Sequence, residues 1–339
     1  HFEGGYAFVV YDRSERAAFL VRDRFGKRPL FYCTHGDTVV FASEIKALLA
    51  RADLPLSWDA QGLASIFAKW TPFGVETPFQ GVRQVLAGTT VRVSERGLAQ
   101  HIYVDLTLPL NTKNAPQGFE PSFEEASANV TAQLEKSVRL RLRGDVHVGV
   151  LLSGGLDSSV ITHLVREYQP SGLRTFSICF EEPQFDESQD QQLLVDAFGL
   201  DHSAVKIGAK HIADNFCTAL WHAEIPQFRT AFVPMFLLSQ HVRTEGVKVV
   251  LSGEGADEIF LGYDIFKEAR LRAEWNRLNQ AQRRQRIRGL YPYLPHFTEA
   301  NLRVLEANYA RSIGAVTDPL FSHASRFANG GFALRLLRT

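Results

Sequence analysis

The sequence predicts an α/β protein, with a β-rich front of hairpins followed by a parallel sheet covered by helices on both faces. Three observations carry this reading. Short apolar segments broken by turn residues fill about the first hundred positions. From about residue 123 onward, strand-like apolar runs alternate with segments of helical spacing. Between them, Leu108 to Pro121 holds Pro, Asn, Gly, Lys and Gln without any period. The chain therefore divides into residues 1–106, a linker at 107–122 and a second domain at 123–339. Its 339 residues exceed what one ordinary core holds.

In the front part, Tyr6 to Tyr11 and Ala17 to Arg22 flank the turn-like Asp12 to Arg16, which reads as a hairpin. A second hairpin joins Leu30 to Cys33 with Thr38 to Ala42. Ser43 is placed to cap a short helix over Glu44 to Arg51, whose apolar side is Ile45, Leu48 and Leu49. In the second part, helices are predicted over 123–143, 158–168, 188–198, 211–224 and 234–245. The strands between them are 147–152, 175–180, 202–207 and 247–251. In such a sheet the ligand sits beyond the carboxyl ends of the strands, so the chemistry is expected just after Leu152 and Leu251.

Composition bounds the rest. Lys+Arg and Asp+Glu both number 37, and no basic excess favours nucleic acid as partner. The most basic stretch, Arg283, Arg284, Arg286 and Arg288, reads as a solvated helix face. Cys33, Cys179 and Cys217 form no C-x-x-C pair and read as small apolar fillers in a reducing compartment, so a cytoplasmic protein is expected. No run approaches the ~18 apolar residues of a membrane span. The opening His-Phe-Glu-Gly-Gly is neither a signal peptide nor a starter methionine, and the chain reads as an internal piece of a longer polypeptide.

Two loops stand where the ligand is expected. In Ser153-Gly154-Gly155-Leu156-Asp157-Ser158-Ser159 the glycines let backbone approach a phosphate, and the next helix offers unpaired N–H groups. Ser153 and Ser158 add hydroxyl donors, and the Asp157 carboxylate can hold Mg²⁺. No Gly-Lys-[Ser/Thr] follows, so this is not a Walker loop. The second loop, Ser252-Gly253-Glu254-Gly255-Ala256-Asp257-Glu258, crowds three carboxylates into five residues, which is costly unless cations such as Mg²⁺ neutralise them.

The first loop resembles the signature of the ATP pyrophosphatase (PP-loop) family, which binds the pyrophosphate end of ATP and transfers AMP to an acyl or carbonyl oxygen. The second is similar to the Ser-Gly-Glu-Gly-x-Asp-Glu motif of asparagine synthases. That resemblance implies ATP contacts from Ser252 and Gly253, metal and pyrophosphate binding through Asp257, and a role for Glu254 in forming the acyl-adenylate or in the ammonia step. It also implies that Leu151 and Ile178 lie against the adenine. Asp186 and Glu187, in the Phe-Asp-Glu-Ser stretch, read as helix capping. In the front part, Arg22 to Tyr32 and Phe41 to Leu49 look like the latter half of the asparagine synthase glutaminase domain, an N-terminal-nucleophile fold. By that match Asp23 binds the glutamine α-amino group.

The resemblance implies a glutamine-hydrolysing carbon–nitrogen ligase that uses ATP and Mg²⁺ to amidate a carboxylate such as aspartate, without nucleic acid or membrane and with a homodimer open. The nucleophilic cysteine of that family belongs before His1, and its phosphate-binding lysine after Thr339. Residues 222–234 depart from the asparagine-forming pattern: Arg229 can clamp a substrate carboxylate, while Phe228 and Phe232 suit a larger or less polar acceptor. A tRNA-modifying PP-loop enzyme and a non-catalytic homologue stay open as alternatives.

Overall fold

A computed structural model describes residues 2–48, 50–51, 54, 57–105, 121–292, 298–314, 316–327 and 330. Most of the expected linker, and Leu49 of the first expected helix, lie outside the described residues. The chain forms two compact units: His1–Leu110 with Ala223–Phe228 and Asp264–Thr339, and Asn111–His222 with Arg229–Tyr263.

In the first unit, β1 (Ala7–Asp12) and β2 (Ala17–Arg22) pair antiparallel. The turn is set by Asp12, whose Oδ1 accepts N–H groups from Ser14 and Glu15. The second hairpin is β3 (Phe31–His35) and β4 (Thr38–Ala42), followed by α1 (Ile45–Leu48), α2 (Ala60–Lys69), β5 (Val82–Gln84), β6 (Thr89–Ser94) and β7 (Gly97–Ile102). These strands make antiparallel sheets of order β1-β2-β6-β7 and β4-β3-β5. Leu20 and Val91 of the first sheet meet Tyr32 of the second in one core with Leu30 and Val85. Cys33, Ile45, Leu48 and Val82 form another.

One local expectation gives way here. Ser43 makes no cap; the first N–H groups of α1, on Ile45 and Lys46, donate to the Glu224 carboxylate at 2.8 and 2.7 Å. A charged bidentate acceptor outcompetes a serine hydroxyl for the same donors.

The helical tail comprises α9 (Asp264–Glu274), α10 (Gln280–Leu290) and α11 (Glu299–Arg311) around Leu271, Trp275, Ile287, Leu302 and Tyr309. The basic stretch lies on α10, where Arg284 and Arg288 pair with Glu299, and Arg286 with Glu274. Deeper in, Arg272 is fully buried and donates to the carbonyls of Ser312, Phe321 and Ser322. Buried Glu268 beside it accepts from Tyr291 and Arg326, both at 2.6 Å.

The second unit begins with α3 (Phe123–Arg141), opened by a capping box between Ser122 and Glu125. Then come β8 (Val148–Leu151), α4 (Leu156–Tyr168), β9 (Arg174–Phe180), α5 (Ser188–Phe198), β10 (Asp201–Ile207), α6 (Ala209–Ala223), α7 (Phe232–Thr244), β11 (Val249–Leu251) and α8 (Ala256–Phe260). The sheet is parallel with order β10-β9-β8-β11. From β8 the chain builds outward to one side through β9 and β10, then returns to place β11 on the other. The strand order therefore reverses between β8 and β11, and the crevice beyond their carboxyl ends is where such sheets bind ligands. Of the cysteines, Cys33 is buried and Cys179 half-buried, but Cys217 is exposed on α6 and fills no core.

Candidate nucleotide site

The loop after β8 is tied to its neighbour strand before it turns. Leu152 N–H donates to the Phe176 carbonyl at 2.9 Å, and buried Ser177 Oγ donates to the Leu152 carbonyl. Gly154 then takes φ +88°, and a Cβ there would stand 2.9 Å from Asp190 Cβ. Both facts require glycine. Ser158 is buried, and its hydroxyl knits the loop: it lies 2.9 Å from Ser153 Oγ and donates to the Gly155 carbonyl at 3.1 Å. Of the two serines expected as donors, Ser153 is the exposed one, while Ser158 supports it. Helix α4 starts at Leu156, two residues earlier than expected, so Asp157 sits in its first turn, where the helix dipole favours a carboxylate.

The loop after β11 uses its glycines differently. A Cβ on Gly253 would lie 2.8 Å from both Asp157 Cβ and Ser158 N, so here the two loops touch backbone to side chain and no larger residue fits. Gly255 instead supplies a φ of +95°, swinging the chain into α8. Glu254 stands between them, exposed. Tyr263 Oη donates to Glu258 Oε1 at 3.1 Å, and burial first, then that bond, pushes the Tyr263 phenol above its usual range.

These loops enclose one side of a cavity of about 410 Å³. Its lining includes Leu151, Ser153, Asp157, Ser158, Ile178, Ser252, Gly253, Glu254 and Asp257. Gly154 and Gly155 shape the loop without lining the cavity, and exposed Arg229 does not line it either. Sequence reasoning did not place the following on the wall: Phe176, Phe180 and Phe185, with Met235 and Leu238 from α7, make an apolar end, and Glu187 adds a carboxylate beside Glu258 of the second loop. Glu187 makes no side-chain cap for α5. Asp186 accepts from Phe180 N–H at 3.0 Å and Ser188 Oγ at 2.5 Å, tying the end of β9 to the start of α5.

The cavity wall thus carries apolar side chains together with hydroxyls and carboxylates, a mixture that suits a nucleotide with a flat base and a metal-bound polyphosphate. Among the described residues, no three His, Cys, Asp or Glu side chains gather closely enough to hold a metal by themselves. Asp157 and Asp257 both line the cavity, and two carboxylates fit Mg²⁺, which completes its shell with phosphate oxygens and water.

Asp23 belongs to the first unit and is almost fully buried. Its oxygens accept N–H groups from Tyr6, Phe25, Lys27 and Arg28 at 3.0–3.2 Å, filling all four acceptor positions of a carboxylate. Burial raises its pKa, but these four donors outweigh burial and hold it below the usual range. The stabilisation from Asp23 is therefore present above the unfolded value near ~4 and lost as pH falls through the lower folded value. Asp23→Ala leaves four donors without an acceptor, and we expect a loss of about 3 kcal/mol or more in urea unfolding at neutral pH, shrinking as the pH approaches 2. An unchanged unfolding midpoint would show that the loop holds without this carboxylate.

Residues 129–329 match the family model for asparagine synthase, and residues 1–104 that for a glutamine amidotransferase domain. The amidase chyE of Penicillium rubens is 32% identical over 283 residues, covering 79% of this chain and 41% of that protein. Asparagine synthetase [glutamine-hydrolyzing] 1 of Bacillus subtilis is 30% identical over 266 residues, covering 78% and 40%. The chain spans about two fifths of the length of these curated relatives. Among solved structures, the NH3-dependent NAD synthetase of Campylobacter jejuni aligns with a TM-score of 0.32 and 16% identity, covering 60% of this chain and 95% of that one.

Proposed function

Because this chain belongs to the asparagine synthase family, we propose that it forms part of an amidotransferase that activates a carboxylate with ATP and converts it to an amide with glutamine-derived ammonia. The observation that carries this reading is the single cavity at the switch between β8 and β11, with both motif loops and an apolar end on its wall. The base is assigned to the apolar end, against Leu151 and Ile178. Ser153, Ser252 and Gly253 are assigned to the phosphates, with Gly154, Gly155 and Ser158 holding the loop in shape. Asp157 and Asp257 would hold Mg²⁺, which would supply charge neutralisation for the departing pyrophosphate.

In the first step an acceptor carboxylate oxygen attacks the α-phosphorus of ATP, the bond to the pyrophosphate oxygen breaks, and an acyl-adenylate and pyrophosphate result. In the second, ammonia attacks the acyl carbon, AMP departs and a proton is released. Glu254 is assigned to the mouth of the cavity, where its carboxylate meets the acceptor or the incoming nitrogen. Asp23 is assigned to the glutamine α-amino group through its negative charge, since the backbone already fills its acceptor positions.

Aspartate is the acceptor the family reading favours. A bulkier carboxylate is the second reading, supported by the amidases among the relatives. The test is exchange of labelled pyrophosphate into ATP by the full-length enzyme over a panel of carboxylates. The acceptor should raise exchange by at least about tenfold over ATP alone, equivalent to ~1.4 kcal/mol of selective stabilisation. Exchange with no member of a panel spanning amino acids, sugar acids and aryl or peptide acids would count against carboxylate activation.

A further inference from the structure

Helix α5 brings to the nucleotide cavity a polar side chain that has no role in the proposed chemistry. Gln191, the fourth residue of that helix, is only 4% exposed and lines the cavity. Its place is set by the sheet. Backbone groups alternate along a strand, so the Phe176 and Ile178 carbonyls of β9 point to the same edge, the one that faces β8. Leu152 N–H takes the Phe176 carbonyl. Strand β8 has already ended at Leu151, so no strand continues alongside to meet the Ile178 carbonyl. Gln191 Nε2 donates to it instead, at 3.0 Å.

That bond fixes which way round the amide sits, because a carbonyl can only accept. The nitrogen faces Ile178, and the oxygen faces the Cys179 thiol, 3.7 Å from Sγ. Burial first, then Asp186, pushes the Cys179 thiol above its usual range, so at neutral pH it keeps its proton and donates. An amide carries two N–H donors and two acceptor lone pairs. Among the described residues, one N–H and one lone pair of Gln191 are used, the lone pair only by a long contact to sulfur. The other N–H and lone pair belong to a buried side chain on the cavity wall, and buried polar groups take partners. Phe176, Ile178 and Phe180 are alternate residues of β9, share one face and line the same cavity. A flat ring with hydrogen-bonding groups on its rim suits these apolar side chains and the amide beside them.

Resting on the proposal that this cavity binds a nucleotide, we propose that Gln191 is a specificity-determining residue that selects a 6-aminopurine base. The second lone pair of Oε1 accepts from the exocyclic amino group, and the second Nε2–H donates to a ring nitrogen, the pairing by which a glutamine amide recognises adenine. A 6-oxopurine presents a carbonyl where the amino group stood. Turning the amide over to match it would set Oε1 against the Ile178 carbonyl, so the amide keeps its orientation and lone pair meets lone pair. All of these residues belong to the second unit.

The test is equilibrium binding of ATP and of ITP, which carries the 6-oxo group, to the full-length enzyme in magnesium chloride, followed by calorimetry. Wild type should bind ATP at least about tenfold more tightly than ITP, the order of one such amide–base pair. Gln191→Met, of similar length but without the amide, should bring the two dissociation constants together, mainly by weakening ATP. Gln191→Ala should do the same, and it serves where the methionine variant does not fold. Ser177→Ala removes the hydroxyl that ties the first loop to β9 and leaves the amide in place. It should weaken both nucleotides and keep their ratio, as any merely structural contribution does. An undiminished ratio in a folded Gln191 variant overturns the proposal, and so does a wild type that binds ATP and ITP equally well. A wild type that binds neither nucleotide instead removes the nucleotide reading, and the proposal with it.

Discussion

Asp157→Ala in the full-length enzyme is expected to reduce acceptor-dependent pyrophosphate exchange by at least about 10²–10³-fold, the range seen when a group aimed at developing charge is removed. The reasoning is local. Asp157 lines the cavity from the first turn of α4, and its Cβ supports Gly253 of the second loop. Alanine keeps that Cβ, so the loops stay in register and only the carboxylate is lost. The folded state should barely notice, because a first-turn carboxylate contributes only about 0.3–1 kcal/mol through the helix dipole. Glutamine hydrolysis should persist, and ammonium should not rescue amide formation, since the defect precedes the nitrogen step. Exchange at the wild-type rate in a folded variant would remove the first loop from the nucleotide site.

Glu254→Gln is expected to lower amide formation by about 10²–10⁴-fold, and the exchange assay tells which step is hit. Glu254 is exposed at the cavity wall between Gly253, which cannot carry a side chain, and Gly255, whose left-handed backbone turns the chain away. Its carboxylate is thus held by a stiff, glycine-defined turn. Glutamine preserves its size and removes its charge and basicity. If the carboxylate orders the acceptor before adenylation, exchange should collapse together with amide formation. If it only takes the proton from attacking nitrogen, exchange should survive while amide formation falls. We expect the first outcome, because the charge lines the same cavity as Asp157 and Asp257. Normal exchange with normal synthesis would take Glu254 out of the mechanism.

The parts legible in the sequence are those governed by local rules. Apolar runs flanking turn residues marked the hairpins β1–β2 and β3–β4, and helical spacing marked α3 to α7 within a few residues. The two loops were visible because glycine and carboxylates at strand ends have few other uses. What stayed hidden depends on distant partners. Ser43 had every local qualification as a cap, yet the donors go to Glu224, 179 residues away from Ile45. Phe185, Glu187 and Met235 read as ordinary helix or turn residues until the sheet order brings them to one cavity. Asp23 reads as a ligand residue by resemblance, but a charge with four backbone donors is also the keystone of its loop. Folded context, not composition, separates these two roles.

The strand order has a consequence for the timing of biosynthesis. Because β11 is synthesised after β9 and β10, the growing chain carries only one of the two candidate-site loops for roughly a hundred residues of translation. Asp157 and Ser153 leave the ribosome long before Gly253 arrives to close against them. Until then the exposed edge of β8 and its acidic loop lack their neighbour, which makes this interval the one in which the nascent chain is most open to misassembly. On the proposed reading, a nucleotide that needs both loops stabilises only the finished sheet.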